Sequence, residues 1–152
     1  FKVDTLKIVS AIEQYTPENN RSQIKISDNK NRLVLDAYNA NPTSMSNAIN
    51  EFSKLDCDSA YYILGDMLEL GEESIVEHTK ILELLSSVKG VKFLVGQEFA
   101  KHKVSYENNE VFYFYNDVNA LILELENLNL ENSDVLIKGS RGIALEKTLS
   151  EL

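Results

Sequence analysis

The sequence predicts an α/β fold: a Rossmann-like three-layer domain, with a mostly parallel sheet of about six strands, one antiparallel edge strand and helices on both faces. Three observations predict it. From residue 33 onward, short apolar runs alternate with longer segments of helical period. The apolar runs are nearly continuous rather than alternating, as in strands buried on both faces. Ahead of them, one alternating segment and a turn cluster make a hairpin.

The elements follow in order. Val3, Leu6, Val9 and Ile12 recur at three-residue spacing, so residues 3–15 present one helical face. Thr16-Pro17-Glu18-Asn19-Asn20 breaks that helix. After Arg21, Ser22 to Ile26 alternates like a half-buried strand, Asp28 to Asn31 is a turn, and Leu33-Val34-Leu35 is the hairpin's second strand. Met45, Ala48, Ile49, Phe52 and Leu55 have helical spacing, and Asn41 before Pro42 is a cap followed by proline at the first helical position. Ala60 to Leu64 is a buried strand, Gly65 to Gly71 a loop, and Glu72 to Ser87 a helix with acids in its first turn, where the dipole favours them. Val91 to Val95 is a strand ending at Gly96, with a short helix at 98–102. Val111 to Tyr115 is a strand, Asp117 caps a helix through Leu128, Val135-Leu136-Ile137 is a strand, and Ile143 to Leu152 closes the chain as a helix.

Composition narrows the function. A chain of 152 residues is one domain by length and buries about 68–70% of its unfolded surface without disulfide or metal. The net charge of −9 argues against nucleic-acid binding. A single cysteine, Cys57, makes no disulfide within the chain and fits a reducing cytoplasm. No apolar run approaches the roughly 18 residues of a membrane span. Phe1 is not an initiator methionine, so the chain is expected to be part of a longer one.

In such a sheet the loops after the strands share one edge. Here they collect Asp36, Tyr38, Asn39 and Asn41, then Asp66 and Glu69, then Gly96 and Gln97, then Lys138, Ser140 and Arg141. A carboxylate can accept both hydroxyls of a ribose, asparagines suit the edge of an adenine, and Lys138 and Arg141 can hold a carboxylate or phosphate. The same residues have plainer uses. Asp and Asn in such loops commonly cap helices, Lys138 and Arg141 could be solvated, and His78 lies alone on its helix. There is no phosphate loop, no G-x-G-x-x-G, no nucleophile–base pair and no metal-ligand spacing.

Three strings in order carry a resemblance: Asp36 to Met45 (DAYNANPTSM), Leu64 to Gly71 (LGDMLELG) with His78 following, and Lys138-Gly139-Ser140-Arg141. Together they resemble the C-terminal domain of the Mur ligases of peptidoglycan precursor synthesis, over essentially the whole chain. The Asp-x-Tyr-Asn-Ala-Asn-Pro string resembles the branch that joins D-alanyl-D-alanine to UDP-N-acetylmuramoyl-tripeptide. The resemblance implies a bacterial, cytoplasmic, monomeric three-domain enzyme using ATP and Mg2+, with residues 1–20 a leading helix and linker from the central domain. Asp36 would hold the ATP ribose, Asn39 and Asn41 would lie by the adenine, and Arg21 would reach toward the γ-phosphate. Asp66, Lys138, Ser140 and Arg141 would face the incoming dipeptide. Phosphates and Mg2+ would be held mainly by the central domain, so this piece would carry no catalytic residue or metal ligand and be inactive alone. The rival readings are the C-terminal domain of a folylpolyglutamate synthase-type ligase, against which the Tyr-Asn-Ala-Asn-Pro string speaks, and a non-catalytic α/β binding module.

Overall fold

The structure, a computed structural model, describes residues 3–13 and 20–152. In chain order it has α1 (Thr5–Glu13), β1 (Gln23–Ile26), β2 (Arg32–Asp36), α2 (Pro42–Phe52), β3 (Ala60–Gly65), α3 (Ser74–Ser86), β4 (Val91–Val95), α4 (Gln97–Ala100), β5 (Phe112–Tyr115), α5 (Val118–Leu128) and β6 (Asp134–Lys138). The expected helix break at 16–19 and the end of the leading helix lie outside the described residues.

The strands form one six-stranded sheet in the order β1-β2-β6-β3-β4-β5. β1 pairs antiparallel with β2, and every other pairing is parallel. Two cores flank the sheet. Met45, Ile49 and Phe52 of α2, Ile81, Leu82 and Leu85 of α3 and Phe99 of α4 pack on one face. Leu121 and Leu125 of α5, with Leu145 and Leu152, pack on the other. A three-layer α/β architecture follows, as the alternation of buried runs and amphipathic helices requires.

Local chemistry sets the helix starts. The Asn41 side chain accepts from the Ser44 N–H at 2.8 Å while the Ser44 hydroxyl accepts from the Asn41 N–H at 3.1 Å, a reciprocal capping box with Pro42 at the first helical position. Asp117 caps α5 through the N–H groups of Asn119 and Ala120. Each such cap is worth about 1 kcal/mol.

Two elements differ from expectation. The closing segment is not an α-helix but two 3-10 turns, Arg141–Ile143 and Leu145–Glu151, split by Ala144 in the left-handed region at φ 57°. Its buried Leu145 and Thr148 are three apart, the repeat of a 3-10 turn. On β1, Ile24 and Ile26 are not half-buried: they are 70% and 67% exposed. They lie opposite Val34 and Arg32, on the strand at the edge of the sheet.

Candidate functional site

The parallel strands all end at one edge, and the connections leaving it diverge. After β2 the chain crosses to α2 on one face; after β6 it turns to the 3-10 segment on the other. β2 and β6 are neighbours, so a crevice opens between their loops, the position at which open α/β sheets bind ligands. β1 runs antiparallel, with Gln23 opposite Leu35, so the chain just before it reaches the same edge.

The loop after β2 is pinned at both ends. Ala37 is buried in one core and Ala40 in the other, and between them Tyr38 and Asn39 face outward. The Ala37 N–H donates to the Asn20 carbonyl at 2.9 Å, and the Ser22 N–H donates to Asp36 Oδ1 at 3.3 Å. Asp36 lies opposite Lys138 in the β2–β6 register. The Lys138 ammonium, 1% exposed, donates to Asp36 Oδ2 at 2.5 Å and to the Asn39 carbonyl at 2.9 Å. One buried cation thus fixes both the carboxylate and the loop backbone. Asp36 remains 27% exposed, and two ionised oxygens offer about four acceptor positions, so its open side can still take a hydroxyl.

The two arginines of the edge meet at Tyr38. The Arg21 guanidinium lies 3.9 Å from the centre of the Tyr38 ring, and that of Arg141 lies 5.5 Å from it. The hydrogen bond from Arg21 to the phenol, then the two positive charges, hold the Tyr38 hydroxyl below the usual tyrosine range. A cleft of about 320 Å³ beside this group is lined by Arg21, Ser22, Asp36, Tyr38 and Asn39.

The loop after β3 is built differently. Asp66 is 2% exposed. Its carboxylate accepts from the N–H groups of Glu98 (2.8 Å) and Phe99 (2.9 Å), capping α4 from the neighbouring strand. Gly96, which starts α4 at φ +125°, sits where any Cβ would collide with that carboxylate. Burial raises the Asp66 pKa, against the lowering effect of the two backbone donors. His78, wholly buried on α3, accepts from the Met67 N–H at Nε2 (3.1 Å) and donates from Nδ1 to the Ser74 carbonyl (2.7 Å). These partners select the Nδ1–H tautomer. Ser140 joins the two loops: its hydroxyl accepts from the Leu68 N–H at 2.9 Å, and its own N–H donates to the Asp66 carbonyl at 3.2 Å.

The predicted site residues therefore divide. Arg21, Asp36 and Asn39 line one cleft at the β2 end, whereas Asn41 lies outside its lining and its side-chain oxygen caps α2. Lys138 joins this group from β6. Asp66 and Ser140 are buried supports of the β3 and β6 loops, and Arg141 turns toward Tyr38. A second cleft of about 310 Å³ beside the β3 loop is lined by other residues, among them Glu72, Ser74, Glu98 and Lys101. Sequence reasoning placed Tyr38 on the rim but gave it no role. An aromatic residue two positions after the acid of a polar loop, with two arginines on the same edge, is the signal that points to it. Among the described residues no group of three or more His, Cys, Asp and Glu side chains could hold a metal ion, and no helix is long and apolar enough to cross a membrane.

The family model for the Mur ligase, glutamate ligase domain matches residues 20–141. A UDP-N-acetylmuramoyl-tripeptide–D-alanyl-D-alanine ligase from Treponema pallidum is 36% identical over 120 residues, which is 76% of this chain and 26% of that protein. Among solved structures, MurF from Acinetobacter baumannii superposes with a TM-score of 0.80 at 25% identity, covering 99% of this chain and 33% of that one. The MurF ligase from Thermotoga maritima, solved in complex with ADP, shares the fold at a TM-score of 0.72 and 18% identity, covering 96% of this chain and 35% of that one. The chain spans about a quarter of the length of the curated relatives it matches.

Proposed function

This chain belongs to the Mur ligase family through its glutamate ligase domain, and we propose that it closes the ATP site of a ligase joining D-alanyl-D-alanine to UDP-N-acetylmuramoyl-tripeptide. The observation that carries the reading is the β2–β6 crevice. There, a partly open carboxylate, Asp36, is fixed by Lys138 beside an outward-facing Asn39 and the guanidiniums of Arg21 and Arg141 at the Tyr38 ring. These groups suit the three parts of a nucleotide: a base-edge amide, an acceptor for the ribose hydroxyls and cations for the phosphates. The relatives named for this ligation support the choice of substrates.

In this reading Asp36 accepts a ribose hydroxyl on its open side, Asn39 and Asn41 lie at the adenine, and Arg21 reaches the terminal phosphate. The Asp66 and Ser140 loops shape the wall that the dipeptide meets. Mg2+ would come with the triphosphate and be held mainly by the central domain of the full-length protein. The tripeptide carboxylate takes the γ-phosphoryl group of ATP and releases ADP, and the dipeptide amine then attacks the acyl phosphate and expels inorganic phosphate. Acyl phosphates hydrolyse, so a domain that brings ATP contacts and a closing wall together couples substrate binding to exclusion of water. The family match begins at residue 20, which supports reading residues 20–152 as this domain and α1 as the end of a preceding one. A monomeric protein of the bacterial cytoplasm is part of the same proposal.

The test is a ligation assay on the full-length protein. With ATP, Mg2+, UDP-N-acetylmuramoyl-tripeptide and D-alanyl-D-alanine it releases phosphate and forms the extended product, identified by mass. Ligation of L-glutamate to a folate with no use of the dipeptide would assign the chain to the folylpolyglutamate synthase type instead.

A further inference from the structure

Arg21 and Arg141 are separated by almost the whole domain in sequence, yet both lie against one exposed aromatic ring. Among the described residues neither forms an ion pair with a carboxylate. Two like charges on one ring repel each other, and the negative face of the ring offsets part of that cost; hydrogen bonding to the phenol uses only some of the five N–H donors of a guanidinium, and the rest are not taken up by a carboxylate. A salt bridge would have occupied those donors. The cleft that Arg21 and Tyr38 line also contains Asp36 and Asn39.

We propose that Tyr38 is a positioning residue whose ring holds Arg21 and Arg141 together as one clamp for the polyphosphate of the nucleotide. The inference rests on the ATP reading of the crevice and deepens it. Arg141 is assigned to the phosphates rather than to the dipeptide, and the β6 loop becomes a sensor of the triphosphate. Binding the two ends of the chain's edge to one anion ties the segment before β1 to the segment after β6 when ATP is present. A planar guanidinium binds phosphoryl oxygens bidentately, so two of them suit adjacent phosphoryl groups.

The test compares Tyr38→Leu, Tyr38→Phe and Arg141→Ala in the full-length protein, with KM for ATP, KM for D-alanyl-D-alanine and inhibition by adenosine as readouts. Tyr38→Leu and Arg141→Ala each raise KM for ATP about tenfold or more. They leave the dipeptide KM and the adenosine inhibition constant within about twofold, since neither ligand carries a phosphate. Tyr38→Phe keeps the ring and stays within about threefold of the parent, losing only the phenol's hydrogen bond. A purely structural role for Tyr38 would shift all three readouts together. An unchanged KM for ATP in Tyr38→Leu, a Tyr38→Phe variant as impaired as Tyr38→Leu, or an Arg141→Ala effect confined to the dipeptide would each overturn the clamp. A full-length protein that neither binds nor uses ATP would overturn the nucleotide reading itself, an outcome distinct from ATP use that ignores Tyr38.

Discussion

The ammonium of Lys138, 1% exposed, sits 2.5 Å from Oδ2 of Asp36, which is 27% exposed. The pair is asymmetric, and so are the consequences of breaking it. Asp36→Ala leaves a buried cation with only the Asn39 carbonyl, a loss of about 3 kcal/mol. Lys138→Met leaves a carboxylate that water already reaches, a loss of about 1–2 kcal/mol. Urea denaturation of the two variants should rank them in that order, and equal losses would mean that the buried cation is solvated after all. The same asymmetry means that Asp36→Ala mixes a folding effect with any effect on nucleotide.

Histidine 78 supports the β3 loop from inside. His78→Ala removes the acceptor of the Met67 N–H and the donor to the Ser74 carbonyl, and empties a wholly buried site. The expected loss is about 3 kcal/mol, measured by thermal or denaturant unfolding. A loss under about 1 kcal/mol would show that the loop carries itself.

Gly96 should not tolerate a side chain. Gly96→Ala meets both a left-handed φ of +125° and the Asp66 carboxylate that caps α4. A loss of about 3 kcal/mol or more is expected. Gly71→Ala is the control: it also has positive φ but nothing within 4 Å of the added methyl, so it should cost only about 1 kcal/mol of backbone strain.

The Arg21–Tyr38 contact has a pH signature. The folded-state pKa of Tyr38 lies below its ordinary 10.0, so the folded chain favours the phenolate. Its stabilising contribution is absent at neutral pH, appears as pH rises through the lowered value, and is complete above 10.0. In difference absorbance between the parent and Tyr38→Phe, the phenol should titrate below 10.0, and Arg21→Ala should move the transition upward. An unmoved transition would separate the guanidinium from the phenol.

Much of this was legible in the sequence where the cause is local. The Asn41 and Asp117 caps are side chains bonding to N–H groups two or three residues ahead, and the buried strands show as runs of apolar residues. What was not legible depends on register and distance in the chain. Periodicity carries no information that β2 and β6 are neighbours, so the pairing of Lys138 with Asp36, 102 residues apart, could not be read. Asp66 looked like a loop acid facing a substrate; its carboxylate caps α4 at the end of the neighbouring strand, which only the fold reveals. The closing segment read as an α-helix because its apolar residues fit either helical repeat, and Ala144 in a left-handed conformation gives no compositional warning. Ile24 and Ile26 alternate correctly but stand on an edge strand, where alternation does not ensure cover.

These divisions of labour single out Asn39 as the cleanest probe of the nucleotide site. Its side chain faces outward, and only its backbone carbonyl serves the Lys138 pair. Asn39→Ala therefore leaves the Lys138 pair and the Asn41 cap in place.

The decisive measurement is KM for ATP in the full-length protein, parent against Asn39→Ala, with KM for D-alanyl-D-alanine taken in the same assay. The nucleotide reading predicts that KM for ATP rises about tenfold, the worth of lost base-edge hydrogen bonds, while the dipeptide KM and the unfolding midpoint stay put. An unchanged KM for ATP alongside a raised dipeptide KM would contradict it and hand the β2–β6 crevice to the dipeptide.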